Sequence, residues 1–147
     1  MSAGVKSGTF QKSYRISSAK NGLGETEGSY CTPRGWHSVA EIIGKEAPIY
    51  SVFKGRLPTG QIYTPDLAHE GLDNDWILSR IIRLKGCERG FNLGGHVDSY
   101  SRYIYIHGCA AEDLLGQPAS QGCIRMGNQA VIALARFIRV GDTVFID

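Results

Sequence analysis

Apolar and polar residues alternate over several short stretches of the chain, which is the pattern of half-buried β-strands. In the first of these stretches, Phe10, Tyr14 and Ile16 share one parity. The same alternation, or a run of β-branched and aromatic residues, predicts further strands at residues 36–43, 49–53, 77–84, 102–106 and 143–146. The chain is therefore predicted to be rich in β-structure.

One stretch has the spacing of an amphipathic helix. Apolar side chains recur at i, i+3, i+4 and i+7 from Val131 to Ile138, and Asn128 just before them is a residue type that caps helices. Residues 77–84 are ambiguous, because their isoleucines fit both a helical stripe and a strand. The polar stretch at residues 58–75 shows neither period and is predicted to be a long surface loop.

Size and composition limit the fold and the partners. The chain has 147 residues, 42% of them hydrophobic, and no internal repeat, which fits one domain. We expect a flexible N-terminus at residues 1–9 and the domain at residues 10–147. The net charge is only +2 and no long basic run is present, so electrostatics do not favour nucleic acid. No stretch reaches the roughly 20 apolar residues of a transmembrane helix, and no signal-peptide core is visible.

A histidine and a cysteine are candidates for nucleophilic chemistry. His107 follows the apolar run at residues 102–106 and would emerge at the end of that strand, where Gly108 lets the backbone turn. Cys123 follows Gly122, so its thiol would lie where a loop re-enters the sheet. A free cysteine has a pKa of about 8.5, and a histidine partner can lower it to roughly 3.5–7.5. Such a pair would supply a thiolate nucleophile at neutral pH.

The sequence around these two residues resembles the signature of a known family. His-Gly at 107–108, a spacer, and Pro-Ala-Ser-x-Gly-Cys-Ile-Arg-Met-x-Asn at 118–128 look like the catalytic motif of the L,D-transpeptidase catalytic domain, or YkuD-like, family. The resemblance extends upstream to about residue 14. It implies a mainly β, single-domain antiparallel β-sandwich or barrel-like sheet with one helix near the C-terminus, and it favours a strand for residues 77–84. It also implies that the family's first strand is shortened or missing here.

The resemblance also implies a function. Members of this family process bacterial peptidoglycan, so the expected reaction is L,D-transpeptidation of stem peptides through a thioester on Cys123, with His107 as general base and acid. No cofactor, metal or nucleic acid is expected. Carbapenems are expected to acylate the thiol, and the expected location is the periplasm or the cell wall. With water as acceptor, the same site would be an L,D-carboxypeptidase.

Several neighbours of the two candidates are expected to have supporting roles. Arg125 would lie on the same side as Cys123 in an extended strand, where its guanidinium could bind a substrate carboxylate or brace the loop. Backbone N–H groups around Gly122 are expected to donate to an oxyanion. Ser120 is expected to fix the loop through its hydroxyl. The full set expected to bind substrate, stabilise the oxyanion or support the loop is Tyr105, Gly108, Ser120, Gln121, Gly122 and Arg125.

Two departures from the family pattern open alternatives. Many members carry histidine where this chain has Gln121, which raises the alternative of a degenerate module that binds peptidoglycan without turnover. Most carry threonine or a similar residue where this chain has Cys109. Cys109 is expected to be a small buried residue, although a disulfide with Cys123 is an alternative. A metal site made from His107 and these two cysteines lacks the paired ligands usual for zinc.

The remaining histidines and cysteines are expected to lie outside the chemistry. His37 falls in a predicted strand and His69 in the polar loop, so a structural or solvated place is expected for each. His96 is expected to be a loop histidine bonded to a neighbour, with substrate contact as the alternative. Cys31 and Cys87 are expected to be small buried residues.

Overall fold

The structure, a computed structural model that describes residues 2–7, 10–69 and 75–147, is mainly β, as the sequence predicts. The α-helix formed within these residues, α1, spans Asn128–Phe137, and short 3-10 helices lie at Pro65–His69, Gly95–Val97 and Glu112–Leu114. The described strands are β1 (Ser2–Ser7), β2 (Phe10–Ser17), β3 (Gly35–Ile43), β4 (Ser51–Lys54), β5 (Leu57–Ile62), β6 (Ile77–Gly86), β7 (Tyr105–Gly108), β8 (Ile124–Met126) and β9 (Thr143–Ile146).

The strands form a curled sheet in the order β1-β2-β8-β7-β6-β3-β9. The described pairs are antiparallel except for β7 and β8, which run parallel. β4 pairs with the first residues of β6, and β5 pairs with β4, so the β4–β5 hairpin extends the sheet beside the start of β6. β6 is irregular at this point, because Ser79 has a φ of 70° and the register with β7 shifts between Leu78 and Ile81.

The two faces of the sheet bury different side chains, because successive residues of a strand point to opposite faces. On one face, the apolar stripe of α1 joins Ile82 of β6 in the larger core, which confirms the helix predicted from the sequence. The opposite face carries a smaller core of Phe53, Ile81 and Tyr105, against which Cys123 packs. We call this second face, defined by Ile81, Tyr105 and Cys123, the thiol face.

The N-terminus differs from the sequence prediction, which places a flexible segment at residues 1–9 and a shortened or missing first strand. Ser2–Ser7 form β1 and pair with β2 in antiparallel register. Ala3 and Val5 pack against the larger core. Two small apolar residues in alternation are too short a pattern to predict a strand by themselves, and the pairing with β2 supplies the stabilisation that local sequence lacks.

β7 begins later than predicted. The sequence predicts a strand from residue 102, with the histidine at its end, whereas β7 begins at Tyr105 and contains His107. Residues 100–103 form a turn, in which Tyr103 has a φ of 59°. The Arg102 guanidinium donates to backbone carbonyls of an earlier loop and holds this turn against it. The aromatic run alone does not reveal these tertiary contacts.

Two further differences concern β5 and the start of α1. β5 lies in the predicted polar loop, and all of its residues are exposed, so no apolar alternation marks it. Asn128 does not cap α1: the N-cap is Gly127, and Asn128 is buried at the first helical position. Its amide donates to the Cys109 carbonyl at 2.8 Å, and its side-chain oxygen accepts the Ser79 hydroxyl at 2.6 Å. Asn128 therefore joins the helix to the strands of the sheet.

Gly108 is required by close packing rather than by a turn. It is the last residue of β7, paired with Leu78 of β6 and Met126 of β8. A Cβ atom at this position would lie 2.5 Å from the Asn128 side-chain oxygen and 2.6 Å from the Leu78 carbonyl oxygen. The glycine thus lets the helix start approach the strand that carries His107.

We predict that Gly108→Ala destabilises the protein by about 1–3 kcal/mol, the usual cost of overpacking a buried site. The matched control is Gly4→Ala in β1, where the nearest neighbour of the added Cβ would lie 3.9 Å away. Chemical denaturation of both variants measures the difference. Equal stability of the two variants would contradict the packing argument.

Candidate active site

The parallel pairing of β7 and β8 brings the candidate histidine and cysteine onto one face. His107 is directly opposite Arg125 in this pair, and Cys123 lies two residues before Arg125. Cys123 is therefore a diagonal neighbour of His107, with a Cα–Cα separation of about 8 Å from the strand spacing and rise. Cys123 and Arg125 are two residues apart and His107 pairs with Arg125, so the His107 and Cys123 side chains point to the same face of the sheet. This is the thiol face, which also carries Tyr105.

The Cys123 thiol is half-buried and held by the backbone of the preceding turn and strand. Its Sγ donates to the Tyr103 carbonyl at 3.3 Å and accepts the Tyr105 N–H at 3.4 Å. Burial raises the pKa of Cys123 to about 12, with the Tyr105 N–H acting in the opposite direction. The sequence predicts a lowered pKa for the Cys123 thiol, and this prediction is wrong for the resting state. The thiol is protonated there.

His107 is fully buried and its tautomer follows from its contacts. Nδ1 lies 2.6 Å from the Gly108 carbonyl oxygen, which can only accept, so Nδ1 carries the proton. Nε2 is buried and has no hydrogen-bond partner among the described residues. Burial lowers the pKa of His107, and the bond to Gly108 opposes this shift. The imidazole is thus neutral, with its basic nitrogen unengaged.

General-base activation of the thiol would require a change of hydrogen-bond partner. The Cys123 proton is directed at the Tyr103 carbonyl and not at His107. Transfer of that proton to His107 requires the thiol to exchange the carbonyl for Nε2. Both partners are neutral before the transfer, since burial disfavours the charged form of each. The orienting carbonyl of Gly108 is a group that the sequence motif does not identify.

The loop before Cys123 is fixed by two hydroxyl groups. The Ser120 hydroxyl donates to the Cys123 carbonyl and accepts the Gly122 N–H at 3.2 Å. The Thr32 hydroxyl donates to the Gly122 carbonyl at 2.9 Å and accepts the Ala19 N–H at 2.9 Å. Both hydroxyl groups thus contact the backbone on either side of Gly122, and no sequence pattern marks Thr32 for this place.

Gly122 and Gln121 differ in how closely the loop constrains them. Gly122 has a φ of 130°, and an added Cβ would lie 3.3 Å from the Cys31 carbonyl oxygen, so a side chain there is disfavoured both by backbone strain and by close contact. Its N–H is already bonded to Ser120, and oxyanion donation would require that bond to break. Gln121, in contrast, is exposed.

Arg125 is braced by an ion pair beside His107. Its Nη2 lies 2.8 Å from a carboxylate oxygen of Asp75, and the Arg125 side chain is 12% exposed. The two charges act on the pKa of His107 in opposite directions, with Asp75 raising it and Arg125 lowering it. Asp75 is thus a partner through which Arg125 could brace the loop. Asp75 was not predicted, because a single carboxylate at the end of a polar stretch carries no distinguishing pattern.

Tyr105 is buried on the thiol face next to the nucleophile. Besides its N–H contact with the Cys123 thiol, its phenolic oxygen accepts the Arg56 guanidinium at 3.1 Å. Arg56 was also not predicted, because it lies in the turn of an exposed hairpin. The side chain of Tyr105 therefore links the β4–β5 hairpin to the strand that holds the thiol.

The other histidines are structural or peripheral. His37 is fully buried, with Nδ1 3.0 Å from the Gly35 carbonyl oxygen and Nε2 2.8 Å from the Ser99 hydroxyl, so it has the structural place predicted for it. His96 is exposed and pairs with Glu27 at 3.6 Å. The side chain of His69 lies outside the described residues.

The cysteines other than Cys123 show no pairing. All four cysteines, each of them in the described part of the chain, are free thiols. Cys109 is buried and donates to the Met126 carbonyl at 3.4 Å, and burial raises the pKa of its thiol to about 11. The buried place expected for Cys109 is thus observed, and the disulfide alternative is not. Cys31 is half-buried and Cys87 exposed, which corrects the buried places predicted for them. Both lie in loops, where local sequence reports burial poorly.

One cavity of the structure lies away from the candidate residues. It measures about 760 Å³ and lies between β1, β2, α1 and β9, against the larger core. Within residues 2–7, 10–69 and 75–147, no cluster of three or more histidine, cysteine, aspartate or glutamate side chains is placed to hold a metal ion. No helix of this described portion is long and apolar enough to cross a membrane.

Comparisons with known proteins agree with the fold. The family model described as YkuD, the L,D-transpeptidase catalytic domain, matches residues 3–146. L,D-transpeptidase 3 from Mycobacterium tuberculosis, in complex with a faropenem-derived adduct, is similar with a TM-score of 0.52 at 16% identity, covering 92% of this chain and 44% of that chain. An L,D-transpeptidase from Mycobacterium smegmatis gives a TM-score of 0.50 at 18% identity, with 92% and 48% covered.

A third similar structure is the LD transpeptidase LdtMt1 in complex with imipenem. Its TM-score is 0.51 at 15% identity, and 92% of this chain and 49% of that chain are covered. At such identities the similarity concerns the fold, and the chain spans less than half the length of these structures. Comparison with the curated proteins finds no match.

We predict that the resting Cys123 thiol reacts slowly with alkylating agents. Because only the thiolate is nucleophilic and burial raises the pKa of Cys123 to about 12, iodoacetamide should label Cys123 more than about tenfold more slowly than the exposed Cys87 at pH 7. The rate at Cys123 should rise as the pH increases above 9. Peptide mass spectrometry of timed samples measures both sites, and equally fast labelling at pH 7 would show that the thiol is ionised at rest.

Proposed function

Since the chain belongs to the L,D-transpeptidase catalytic domain family, whose model matches residues 3–146, we propose that it is a cysteine-dependent peptidoglycan L,D-transpeptidase. The observation that carries this proposal is the arrangement of His107 and Cys123. A neutral imidazole with Nδ1 fixed by a carbonyl and Nε2 unengaged by any described residue shares one face with a half-buried thiol. That arrangement supplies a base and a nucleophile for acyl transfer.

The first half of the reaction forms a thioester. His107 Nε2 takes the Cys123 proton as Sγ attacks the carbonyl carbon of the third, L-centre residue of the donor stem peptide. The protonated imidazole then gives this proton to the leaving amine as the C–N bond breaks. Because the thiol is protonated at rest, proton transfer accompanies attack rather than preceding it.

The second half transfers the acyl group. The side-chain amine of a second stem peptide attacks the thioester carbonyl, and His107 takes a proton from this amine. The C–S bond breaks, the thiolate recovers the proton from the imidazolium, and a new peptide bond remains. The Tyr105 N–H that contacts Sγ stabilises the thiolate each time it leaves.

Two alternatives use the same residues. If water attacks the thioester, the enzyme is an L,D-carboxypeptidase. If the protonated thiol never attacks, the domain is a degenerate module that binds peptidoglycan, an alternative motivated by Gln121 and by the raised pKa of Cys123. We favour turnover, because Gln121 is exposed and the pair that does the chemistry is complete.

The proposed partners and location follow from the family. The substrates are peptidoglycan stem peptides, and the site of action is the periplasm or the cell wall. The complex of LdtMt1 with imipenem supports the proposal that carbapenems acylate Cys123. No cofactor takes part in the proposed reaction.

The proposed function is tested by incubating the protein with purified tetrapeptide muropeptides and measuring the products by mass. We expect cross-linked dimers from the wild-type protein and none from Cys123→Ala, because the variant lacks the nucleophile. Tripeptides with free D-alanine would indicate the carboxypeptidase instead. Bound but unchanged peptide would indicate the binding module.

We predict that His107→Gln lowers the rate of acylation by imipenem by roughly 10²–10⁴-fold, the usual contribution of general acid–base catalysis. His96→Gln is the matched control, since His96 is exposed and pairs only with Glu27 among the described residues. Intact-protein mass spectrometry measures the rate. A comparable loss in His96→Gln, with His107→Gln unaffected, would reverse the assignment.

The pH dependence gives an independent check on His107. Because burial lowers its pKa below 6.5, the imidazole stays in its basic form as the pH falls through 6.5. The decline of the acylation rate on acidification should therefore be centred at a pH below 6.5. A decline centred above that value would show that the base is not a buried histidine.

A further inference from the structure

The turn of the β4–β5 hairpin carries an arginine where glycine is favoured. Lys54 pairs with Leu57, so the loop consists of Gly55 and Arg56, whose φ angles are 56° and 66°. Positive φ at both central residues defines a type I′ turn, in which asparagine or aspartate followed by glycine is the favoured sequence. Arg56 thus adopts a left-handed backbone conformation at an energetic cost. The turn does not require this cost, because glycine would form it without strain.

The Arg56 side chain is held by neutral groups over the thiol face. Its Nη1 donates to the Tyr105 hydroxyl at 3.1 Å, and its guanidinium carbon lies 5.1 Å from the centre of the Tyr103 ring. None of the ion pairs formed by the described residues includes Arg56. Among the described residues, Arg56 is therefore a half-buried cation without an ion pair, and the Glu41 carboxylate acts on it only from a longer distance.

The two tyrosines that hold Arg56 are also the residues that hold the nucleophile. The Tyr103 carbonyl accepts the Cys123 thiol, and the Tyr105 N–H donates to it. Tyr105 thus contacts Arg56 at its hydroxyl and the nucleophile at its N–H, and its side chain joins the two. An anionic group bound at Arg56 would belong to a molecule whose reacting carbonyl lies at the thiol.

A second guanidinium makes this region more positive. Arg83 is buried, with its guanidinium carbon 3.6 Å from the centre of the Tyr100 ring and 5.2 Å from that of Tyr103. Its Nε is buried and has no partner in the described part of the chain. Glu41 lies 3.5 Å from Arg83 and also accepts the Tyr100 hydroxyl. One carboxylate thus faces two arginines, and the cluster retains a net positive charge.

We propose that Arg56 is a specificity-determining residue that binds a carboxylate on the side chain of the acyl donor's third residue; this inference rests on the proposed function. The carboxylate of the leaving residue is unsuitable, because it lies only about 3–4 Å from the scissile carbonyl, whereas the Tyr105 side chain separates its contact with Arg56 from its N–H contact with Sγ. A carboxylate at the far end of a long side chain can span that separation. The Arg56 guanidinium binds this carboxylate in charge-assisted hydrogen bonds. The Tyr103 ring lies beside the guanidinium.

The test compares two tetrapeptide donors that differ in one group. Both contain diaminopimelate as the third residue, with its side-chain carboxylate either free or converted to the amide. We expect the wild-type protein to prefer the free acid, and Arg56→Gly to lower kcat/KM for the free acid by roughly 10- to 100-fold while changing the amide little. Arg56→Lys should retain part of the preference, because it keeps the charge without the fork.

Arg56→Gly also separates binding from folding. Glycine is the favoured residue at this position of the turn, so the variant should keep or increase its melting temperature while losing specificity. Lys54→Ala is the matched control, since it removes one exposed positive charge from the same hairpin. An unchanged preference in Arg56→Gly, equal losses on the two donors, or the same loss in Lys54→Ala would each overturn the proposal.

A binding measurement distinguishes failure of this inference from failure of the proposed function. Calorimetry of Cys123→Ala with each donor reports affinity without turnover. If the wild-type protein converts neither donor, the proposed function fails. The carboxylate site would still be supported if Cys123→Ala binds the free acid more tightly than the amide and the double variant Cys123→Ala/Arg56→Gly loses this difference. Equal affinity for the two donors, or no binding of either, would overturn it.

Discussion

The parallel pairing of β7 and β8 is the constraint on which the site depends. Antiparallel strands can be joined by a two-residue turn, but parallel strands require a crossover of about a dozen residues or more. That crossover lets a histidine and a cysteine distant in sequence end on adjacent strands with the same parity. A shift of one residue in this register would move Cys123 to the opposite face, away from His107.

Close packing around the pair keeps the register, buries His107 fully and buries the Cys123 thiol in part. Gly108 admits Asn128, which bonds to both the Cys109 carbonyl and Ser79, so the start of α1 is joined to β7 and β6. Gly122 admits the Cys31 backbone on the other side of the loop. The same burial leaves the thiol protonated and the imidazole neutral, so the resting site carries no separated charge between its two reactive groups.

The parts predicted from the sequence are those with a local pattern. Phe10–Ser17 and Thr143–Ile146 alternate clearly, and the helix stripe is regular, so these elements have the predicted bounds or nearly so. The motif placed His107 and Cys123, and the parallel pairing brings them to one face. Asp75, Arg56 and Thr32 were missed, because each acts through a partner far along the chain and none lies in a recognisable spacing.

The charged groups around the pair act in opposite directions on the two ions that the proposed proton transfer would create. Burial disfavours a thiolate at Cys123, and Asp75 also opposes it, whereas Arg125 and Arg102 lower the pKa of the thiol. At His107 the order is reversed, because Asp75 favours the imidazolium and Arg125 disfavours it. The Asp75–Arg125 ion pair therefore favours neither ion alone, and burial is the dominant influence on both groups. In the proposed reaction the charges consequently develop only as a substrate carbonyl takes up the negative charge.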